Sequence, residues 1–409
     1  MSNQTADGAP GSGGPLTGVR VIDLSSVLMG PSATRALGDL GADVIAVEPK
    51  AGDRNRGMGP GPSDEFSGIS LNLLRNKRSI AIDLKQQAGR EAFLAIAATA
   101  DVMVTNLRPG PVGRLGLDDA AVRAVRPDII YCRAHGYPSD SEDADAPAYD
   151  DIIQSTSGFA DLFALMGLEP MLFPMLVADK VCGMAITNAV LAALYHRAVT
   201  GEGQLVEIPM VEVMRAFVLT EHGSGAIPEP PVAGAGYPRI LTPARRPQPT
   251  ADGWINILPY DEMHYERLFR AGGRPDLIGD ERYASRRART TNSDSLYRDI
   301  AAILPQRTTA AWLAFCQEHD IPATETATIA DLVDSLPMEE HPAVGSYRYI
   351  PPGERFSKSP GGLRRPAPRI GEHGVAILGE AGFTASEIEE LINNGVLHQP
   401  ADDIPTASE

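Results

Sequence analysis

Short apolar runs alternate with segments of helical spacing along the first half of this chain, and the alternation restricts the fold more than any other feature. Residues 19–24 form a β-branched run, residues 33–40 follow with helical spacing, and residues 44–47 form a second apolar run. The pattern then returns at residues 79–84, 89–100, 102–105, 120–125, 129–132 and 205–208. Strands that alternate with helices predict an α/β fold, in which a Rossmann-like parallel sheet is covered by helices on both faces.

The chain is longer than one hydrophobic core usually organises. With 409 residues it is expected to form a large parallel-sheet domain and a smaller α+β domain, joined by two linkers. Stretches rich in Gly and Pro mark these linkers. The predicted segments are a flexible arm (1–15), the large domain (16–222), a linker or lid (223–250), the small domain (251–345), a return linker with the rest of the large domain (346–398) and an acidic tail (399–409).

Charge and apolar patterning exclude several classes of partner. The formal net charge of −17 repels phosphate backbones, so binding to nucleic acid or to an anionic membrane is disfavoured. The apolar run at 171–178 contains Pro174 and is too short to span a bilayer, which needs about 20 residues. The first residues lack the basic and apolar regions of a signal peptide, so a cytoplasmic location is expected.

Cysteine and glycine usage argue against a metal or redox cofactor. The three cysteines are widely spaced, and no Cys-x-x-Cys or Cys/His pattern predicts a metal site. The opening strand, helix and strand, with Glu48 after the second strand, imitate a dinucleotide site. However, residues 25–31 lack the G-x-G-x-x-G that close approach to a pyrophosphate requires, so nicotinamide and flavin cofactors are not expected.

Asp179 is the strongest candidate for a catalytic residue. It follows an apolar run and opens a helix-patterned stretch at 180–197. As an N-cap, its carboxylate would face free N–H groups and the positive end of the helix dipole, and both effects favour the charged form. Gly183, one turn further, is expected to leave room for a bulky electrophile. These features suit a carboxylate nucleophile, and the alternative is a plain structural N-cap.

Basic residues occur in two segments that a parallel sheet can bring together. Residues 75–78 precede a strand, and Arg108 and Arg114 lie in the loop after the strand that ends at Thr105. In a parallel sheet such loops can converge on one ligand, where Arg and Lys hold phosphates by charge-assisted hydrogen bonds. A solvated surface turn is the alternative interpretation.

Taken together, these segments resemble the family III CoA-transferases, the group that also contains the α-methylacyl-CoA racemases. The motifs run in order along nearly the whole chain, which makes a chance match improbable. They are LTGVRVIDL at 16–24, LGADVI at 40–45, EP at 48–49, NKRSI at 76–80, NLRPG at 106–110, RLG at 114–116, TGEGQ at 200–204, DGW at 252–254 and GEH at 371–373.

The resemblance implies a chemistry for Asp179. It occupies the place of the family's catalytic aspartate, although Ala178 stands where that family usually has glycine. In such an enzyme the aspartate attacks an acyl-CoA thioester and forms an acyl-aspartyl anhydride. An aspartyl-CoA thioester follows, and CoA passes from the acyl-CoA donor to a carboxylic acid acceptor. No metal or redox cofactor is required.

The resemblance also implies where CoA binds and how the protein assembles. The expected architecture is an interlocked homodimer, and the two Pro-rich stretches beside residues 250–345 fit its linkers. The residues expected to contact CoA are Lys77, Arg78 and Arg114 at the phosphates, Asn106 and Leu107 at the adenine, and Val27 and Leu28 at the pantetheine.

Tyr149 favours transfer over racemisation. The racemases carry Gly-His-Asp where this chain has Ala148, Tyr149 and Asp150, and their histidine shuttles a proton. A tyrosine with an ordinary pKa of about 10 is a poor shuttle near neutrality, whereas a histidine at about 6.5 suits that role. Tyr149 is expected to bind the acyl group or the anhydride, or to be a buried aromatic.

Two other functions stay open on the sequence alone. One is the racemisation or epimerisation of a 2-methylacyl-CoA, and the other is CoA binding without catalysis. His135 and His222 give the racemase little support, because each is expected to be a surface or core residue and not a base.

Overall fold

The computed structural model describes residues 13–400. Within them the chain divides into two compact units: the first contains residues up to 156, residues 174–215 and residues from 336 onward, and the second contains 157–173 and 216–335. Residues 157–173 and 216–222 therefore group with the second unit and not with the remainder of the segment 16–222. The flexible arm and the acidic tail fall largely outside the described residues.

Twelve strands and sixteen α-helices make up the described part of the chain. The strands are β1 (Arg20–Leu24), β2 (Asp43–Glu48), β3 (Lys77–Ile82), β4 (Val102–Thr105), β5 (Ile130–His135), β6 (Leu205–Pro209), β7 (Gln248–Pro249), β8 (Trp254–Ile257), β9 (Ala323–Glu325), β10 (Met338–His341), β11 (Gly345–Arg348) and β12 (Leu397–His398). The first eight helices are α1 (Met29–Asp39), α2 (Gly68–Leu73), α3 (Gln87–Ala97), α4 (Pro109–Arg114), α5 (Asp119–Val125), α6 (Asp150–Thr156), α7 (Asp161–Leu165) and α8 (Val177–Thr200). The others are α9 (Met210–His222), α10 (Glu262–Ala271), α11 (Arg286–Thr291), α12 (Ser293–Ile303), α13 (Thr309–Glu318), α14 (Ile329–Asp334), α15 (Gly374–Glu380) and α16 (Ala385–Asn393).

A seven-stranded sheet in the order β12-β3-β2-β1-β4-β5-β6 forms the centre of the first unit. Strands β1 to β6 pair in parallel, which confirms the predicted α/β fold with a large parallel sheet. The edge strand β12 is antiparallel to β3 and was not anticipated. Buried side chains of the sheet such as Ile22 and Ile45 pack with Phe93 of α3, Leu378 of α15 and Leu391 of α16. The other face packs against α1 and α8.

Helix α8 is longer and more apolar than the sequence pattern indicated. It is the one helix within residues 13–400 that by length and composition could cross a membrane, with a mean hydropathy of 1.5 over its most apolar window. In the first unit, however, it packs against α1, α6, β5 and β6. Near its end Arg197 pairs with Asp101, with Nη2 2.9 Å from Oδ1. These are the contacts of a core helix, although Met184, Tyr195 and Val199 stay exposed.

The second unit has a core of its own. Strands β7, β8 and β9 form an antiparallel sheet, and helices α10, α12 and α13 contribute buried side chains to one cluster. Trp312 is fully buried at its centre, and its indole N–H donates to the Leu304 carbonyl oxygen over 2.7 Å. An indole whose polar atom is satisfied can be buried at little cost. The segment 223–250 contains a short 3₁₀ turn, Ser224–Ala226, and β7.

Candidate active site

A buried cluster of polar side chains supports the loop that follows β1. Asp23, near the end of β1, accepts hydrogen bonds from the Ser25 backbone N–H over 3.1 Å and the Thr34 hydroxyl over 2.6 Å. Lys77 donates to the same carboxylate over 2.9 Å and has no exposed surface. A buried ion pair is tolerated only when its remaining hydrogen bonds are satisfied, as they are here. Lys77 therefore supports this loop through Asp23.

Three loops at the carboxyl edge of the sheet are joined by side-chain bonds. Asn106, after β4, accepts from the Ser26 N–H over 2.9 Å and donates to the Ser26 carbonyl oxygen over 2.8 Å. Asp53, after β2, accepts from the Val27 N–H over 3.1 Å. Val27 itself has a φ of +71°. This backbone conformation is rare for a β-branched residue and costs about 1–3 kcal/mol, so the surrounding bonds must hold it in place.

Asp179 lies inside the first turn of α8 and not before it. The helix begins at Val177, its N-cap position is Leu176, and no side chain caps it at that position. The prediction that Asp179 is the N-cap is therefore wrong. Instead Asp150, on α6, accepts from the Asp179 backbone N–H over 3.0 Å. Its other oxygen accepts from the Gln154 side-chain amide over 2.6 Å, so Asp150 supplies the oxygen that caps this helix.

The same arrangement reverses the expected electrostatics of the candidate nucleophile. Burial and the nearby Asp150 carboxylate raise the pKa of Asp179 to about 7. A helix N-terminus contributes only about 0.3–1 kcal/mol toward the charged form, which is less than burial and a like charge can cost. The expectation that the surroundings favour the carboxylate is thus corrected: near neutrality both forms of Asp179 are populated.

Gly183 has a role in helix packing, whereas the sequence analysis expected it to leave room for an electrophile. A Cβ at this position would lie 3.0 Å from the carbonyl oxygen of Met29 and would also collide with the Ser32 side chain, both on α1. Glycine therefore permits the close approach of α8 to α1. It does not make room for the electrophile.

A cavity of about 350 Å³ opens at this edge of the sheet beside Asp179. Six of the predicted site residues line it, namely Val27, Leu28, Asn106, Leu107, Tyr149 and Asp179. Asp179 is only 9% exposed, whereas Tyr149 is 57% exposed, so Tyr149 is not the buried aromatic of the alternative interpretation. The carboxyl group thus lies at the inner end of the cavity and the tyrosine at its entrance.

Two of the predicted phosphate contacts are elsewhere. Lys77 and Arg78 begin β3, and β3 starts level with the first residues of the neighbouring parallel strand β2, at the edge opposite the cavity. Lys77 is paired with Asp23, while Arg78 pairs with Asp43 over 2.6 Å and with Glu380 over 2.8 Å. Because carboxylates already neutralise both cations, the prediction that they hold CoA phosphates is corrected. Arg114 is exposed at the end of α4, and its role stays a prediction.

Two arginines also line the cavity: Arg108, which the sequence analysis expected near a bound ligand, and Arg54, which it did not. Arg54 lines it and donates from Nη1 to the Tyr149 hydroxyl over 3.2 Å. Arg108 lines it as well and donates to the Asp145 carbonyl oxygen over 2.7 Å. Arg54 lies in the loop after β2, as Val27 lies in the loop after β1. Loops that follow parallel strands meet at one edge of the sheet, so this position was the sequence signal that could have placed Arg54 in the site.

His135 is the least expected member of the site. It ends β5, is 3% exposed, and neither ring nitrogen has a hydrogen-bond partner among residues 13–400. Burial lowers its pKa, although the Glu207 carboxylate lies 3.4 Å from Nε2. His222, in contrast, does not line the cavity; its Nδ1 accepts from the Tyr237 N–H over 3.4 Å. Residues 13–400 contain no group of three His, Cys, Asp or Glu side chains that could hold a metal ion.

The chain matches one protein family over most of its length. The model of CoA-transferase family III matches residues 16–374. A succinate–glutarate CoA-transferase of Agrobacterium fabrum is 31% identical, over 90% of this chain and 95% of that protein. A Mycobacterium tuberculosis protein, "probable fatty acyl-CoA transferase Rv3272", is 30% identical over 89% of this chain and 97% of its own length.

A solved structure matches over a similar span. The crystal structure of a CaiB/BaiF family protein from Brucella suis covers 90% of this chain and 100% of its own, with a TM-score of 0.75 and 29% identity. The family match spans most of the chain, and the cavity, its aspartate and the loops around it all lie within the matched residues. The chain therefore belongs to family III of the CoA-transferases.

Proposed function

We propose that this enzyme moves CoA from an acyl-CoA donor to a carboxylic acid acceptor by covalent catalysis at Asp179. The observation that carries the proposal is the position of Asp179, whose buried carboxyl group lies at the inner end of a cavity of about 350 Å³. The backbone N–H of Asp179 donates to Asp150, which fixes the start of the helix that carries it. A carboxylate fixed in this way is preorganised to meet a thioester carbonyl.

The proposed reaction begins with the ionised form of Asp179. One carboxylate oxygen attacks the thioester carbonyl carbon, the C–S bond breaks, CoA leaves as a thiolate, and an acyl-aspartyl anhydride remains. The thiolate then attacks Cγ of Asp179, which releases the donor acid and forms an aspartyl-CoA thioester. The acceptor carboxylate displaces the thiolate to give a new anhydride, and the thiolate finally takes the acceptor acyl group and frees Asp179. The electrophile enters as a thioester, so these steps need no Lewis acid or redox group.

The cavity walls support a binding mode for CoA. Val27 and Leu28 present an apolar surface beside Asp179 that suits the pantetheine arm. Arg108 directly precedes α4 and Arg114 ends it, and both are exposed, which supports our proposal that they contact the phosphates. The side-chain amide of Asn106 is occupied by Ser26, so Asn106 shapes the loop beside the adenine position that we propose.

The mechanism is tested by trapping the covalent intermediate. Wild-type protein incubated with a panel of acyl-CoAs should gain the mass of an acyl group or of CoA on Asp179, and hydroxylamine should remove it. Asp179→Asn should form no adduct and should lose at least about 10³-fold in rate, as expected when a nucleophile is removed. Asp151→Asn is the matched control, since Asp151 is an exposed carboxylate on α6. Full turnover by Asp179→Asn would refute the proposal.

A second function is favoured by two specific observations. A carboxyl group whose pKa is about 7 and a buried imidazole without a hydrogen-bond partner in the same cavity are both suited to proton exchange. Incubation of a 2-methylacyl-CoA in deuterated water without an acceptor acid separates the two functions. Deuterium at the α-carbon with no covalent adduct would favour the racemase. Unchanged substrate with normal CoA affinity and no covalent adduct would favour a CoA-binding protein without catalytic activity.

We also propose that the enzyme assembles as the interlocked homodimer that the resemblance implies. The apolar side chains Met184, Tyr195 and Val199 on α8 are exposed, which supports an interface there, because exposed apolar patches often mark protein–protein contacts.

A further inference from the structure

Arg54 is a cation without an ion-pair partner in the described part of a strongly acidic protein. It is exposed, it lies in the 3₁₀ turn Arg54–Gly57, and no carboxylate among residues 13–400 forms an ion pair with it. Its neighbour Arg56 is different, since it is buried and pairs with Glu48 over 2.7 Å. Arg54 lines the Asp179 cavity, and its one described bond is the 3.2 Å donation from Nη1 to Tyr149. The Nε and Nη2 edge of the guanidinium is therefore open to a ligand.

The charges at the inner end of the cavity make such a cation necessary. Asp179 lines the cavity and the buried Asp150 carboxyl group lies next to it, so an incoming carboxylate is repelled by both when they are ionised. Arg54 and Arg108 are the arginines that line the cavity, and Arg108 already donates to the Asp145 carbonyl oxygen. A guanidinium edge binds a carboxylate through two parallel hydrogen bonds, which a solvated lysine cannot match.

We infer that Arg54, oriented by Tyr149, binds the distal carboxylate of a dicarboxylic acid whose other carboxyl group reacts at Asp179. The inference rests on the proposed function and names its acceptor class. Tyr149 is 57% exposed and Asp179 is 9% exposed, so a ligand that contacts both extends from the open part of the cavity to its buried part. A carboxylate bound to Arg54 is stabilised as an anion and is a weaker nucleophile, so it is the other end that reacts.

The experiment compares acids that differ only in the distal group. Transfer from one acyl-CoA donor is measured with straight-chain dicarboxylic acids and with their monomethyl esters, for wild type, Arg54→Gln, Arg54→Lys and Tyr149→Phe. Wild type should prefer the diacid. Arg54→Gln should raise the diacid KM about 10- to 100-fold and remove the preference over the ester, as loss of a charge-assisted hydrogen-bond pair predicts. Arg54→Lys should restore part of the preference, and Tyr149→Phe should weaken it less.

A control variant and the possible contrary results distinguish a failure of this inference from a failure of the proposed function. Arg270→Gln removes a surface arginine paired with Glu266 and should leave the preference unchanged. An Arg54→Gln variant that keeps the diacid preference would overturn the inference. The inference would also be overturned if Arg54→Gln raised KM equally for every thioester and weakened the binding of free CoA. Arg54 would then contact a phosphate of CoA and not the acceptor acid. Absence of any covalent adduct in wild type would instead refute the proposed function.

Discussion

At the residue scale, the site depends on two carboxyl groups in unequal surroundings. Asp150 is buried and satisfied by the Asp179 N–H and the Gln154 amide. No group within residues 13–400 donates a comparable hydrogen bond to the Asp179 carboxyl group, and its pKa rises to about 7 through burial and the Asp150 charge. Paired carboxyl groups with different environments take different roles in catalysis. In the mechanism that we propose, Asp150 positions Asp179 and raises its pKa, and Asp179 reacts.

Asp150 should therefore control the pH dependence of adduct formation. In the proposed mechanism the attacking form of Asp179 is the carboxylate, so the rate should rise with pH through about 7 in wild type. Asp150→Asn removes a nearby negative charge and keeps the shape, so the midpoint of this rise should move to lower pH. Single-turnover adduct formation measured across pH 5 to 9 checks this. Asp151→Asn changes the same charge at an exposed neighbour, and a shift of equal size in that variant would show that Asp150 has no special role.

The raised pKa of Asp179 should also cost stability. The folded-state pKa of about 7 exceeds the ordinary 3.8, so the folded state binds the proton more tightly and stability falls as pH rises between these values. The cost above pH 7 is at most about 4 kcal/mol. Asp179→Asn should therefore raise the melting temperature by several degrees at pH 8 and by less at pH 5. An equal change at both pH values would contradict this account, and Asp151→Asn again serves as the control.

At the scale of elements, the carboxyl ends of β1, β2 and β4 act as one unit. Asn106 joins the loops after β4 and β1, Asp53 joins those after β2 and β1, and the strained Val27 lies between them. The buried Lys77 reaches from β3 to the same loop through Asp23. The strands supply rigid anchors, and the strained backbone persists because several bonds determine it together.

A double-mutant cycle tests this coupling between loops. Asn106→Ala should cost about 1–3 kcal/mol of stability, because it leaves the Ser26 N–H and carbonyl oxygen without their partner. Val27→Gly removes the positive-φ strain that these bonds maintain, so Asn106→Ala should cost less in the Val27→Gly background. Denaturant unfolding of the four proteins gives the coupling energy. Strictly additive effects would show that the two loops are independent.

At the scale of the whole molecule, one helix connects the site with the proposed assembly. The start of α8 carries Asp179, and the remainder of the helix exposes Tyr195 and Val199. If a second copy covers this face, Tyr195→Glu should convert the dimer to a smaller species or lower its yield of folded protein. Sedimentation velocity measures this directly, with Val125→Glu on α5 as a control on an exposed valine. An unchanged dimer in Tyr195→Glu would place the interface elsewhere.

The sequence by itself determined the parallel sheet and the side of it on which the site lies. Strands buried on both faces must be continuously apolar, and helices between them must cross over, so the alternation predicts the sheet. Parallel strands end at the same edge, and this places Val27, Leu28, Asn106 and Leu107 together without further information. The family motifs then identify Asp179 among the many aspartates of the chain.

Only the tertiary structure decided which partners the basic side chains contact and how burial changes the pKa of Asp179. The run from Arg75 to Arg78 resembles a phosphate site in sequence, but Lys77 is paired with Asp23 and Arg78 with Asp43, so carboxylates already neutralise both cations. The pKa of Asp179 depends on burial and on Asp150, which lies 29 positions away in the chain. Arg54 became a candidate only when the structure showed that no carboxylate within residues 13–400 pairs with it. Pairing and desolvation arise from neighbours that the fold brings together, and a local pattern contains neither.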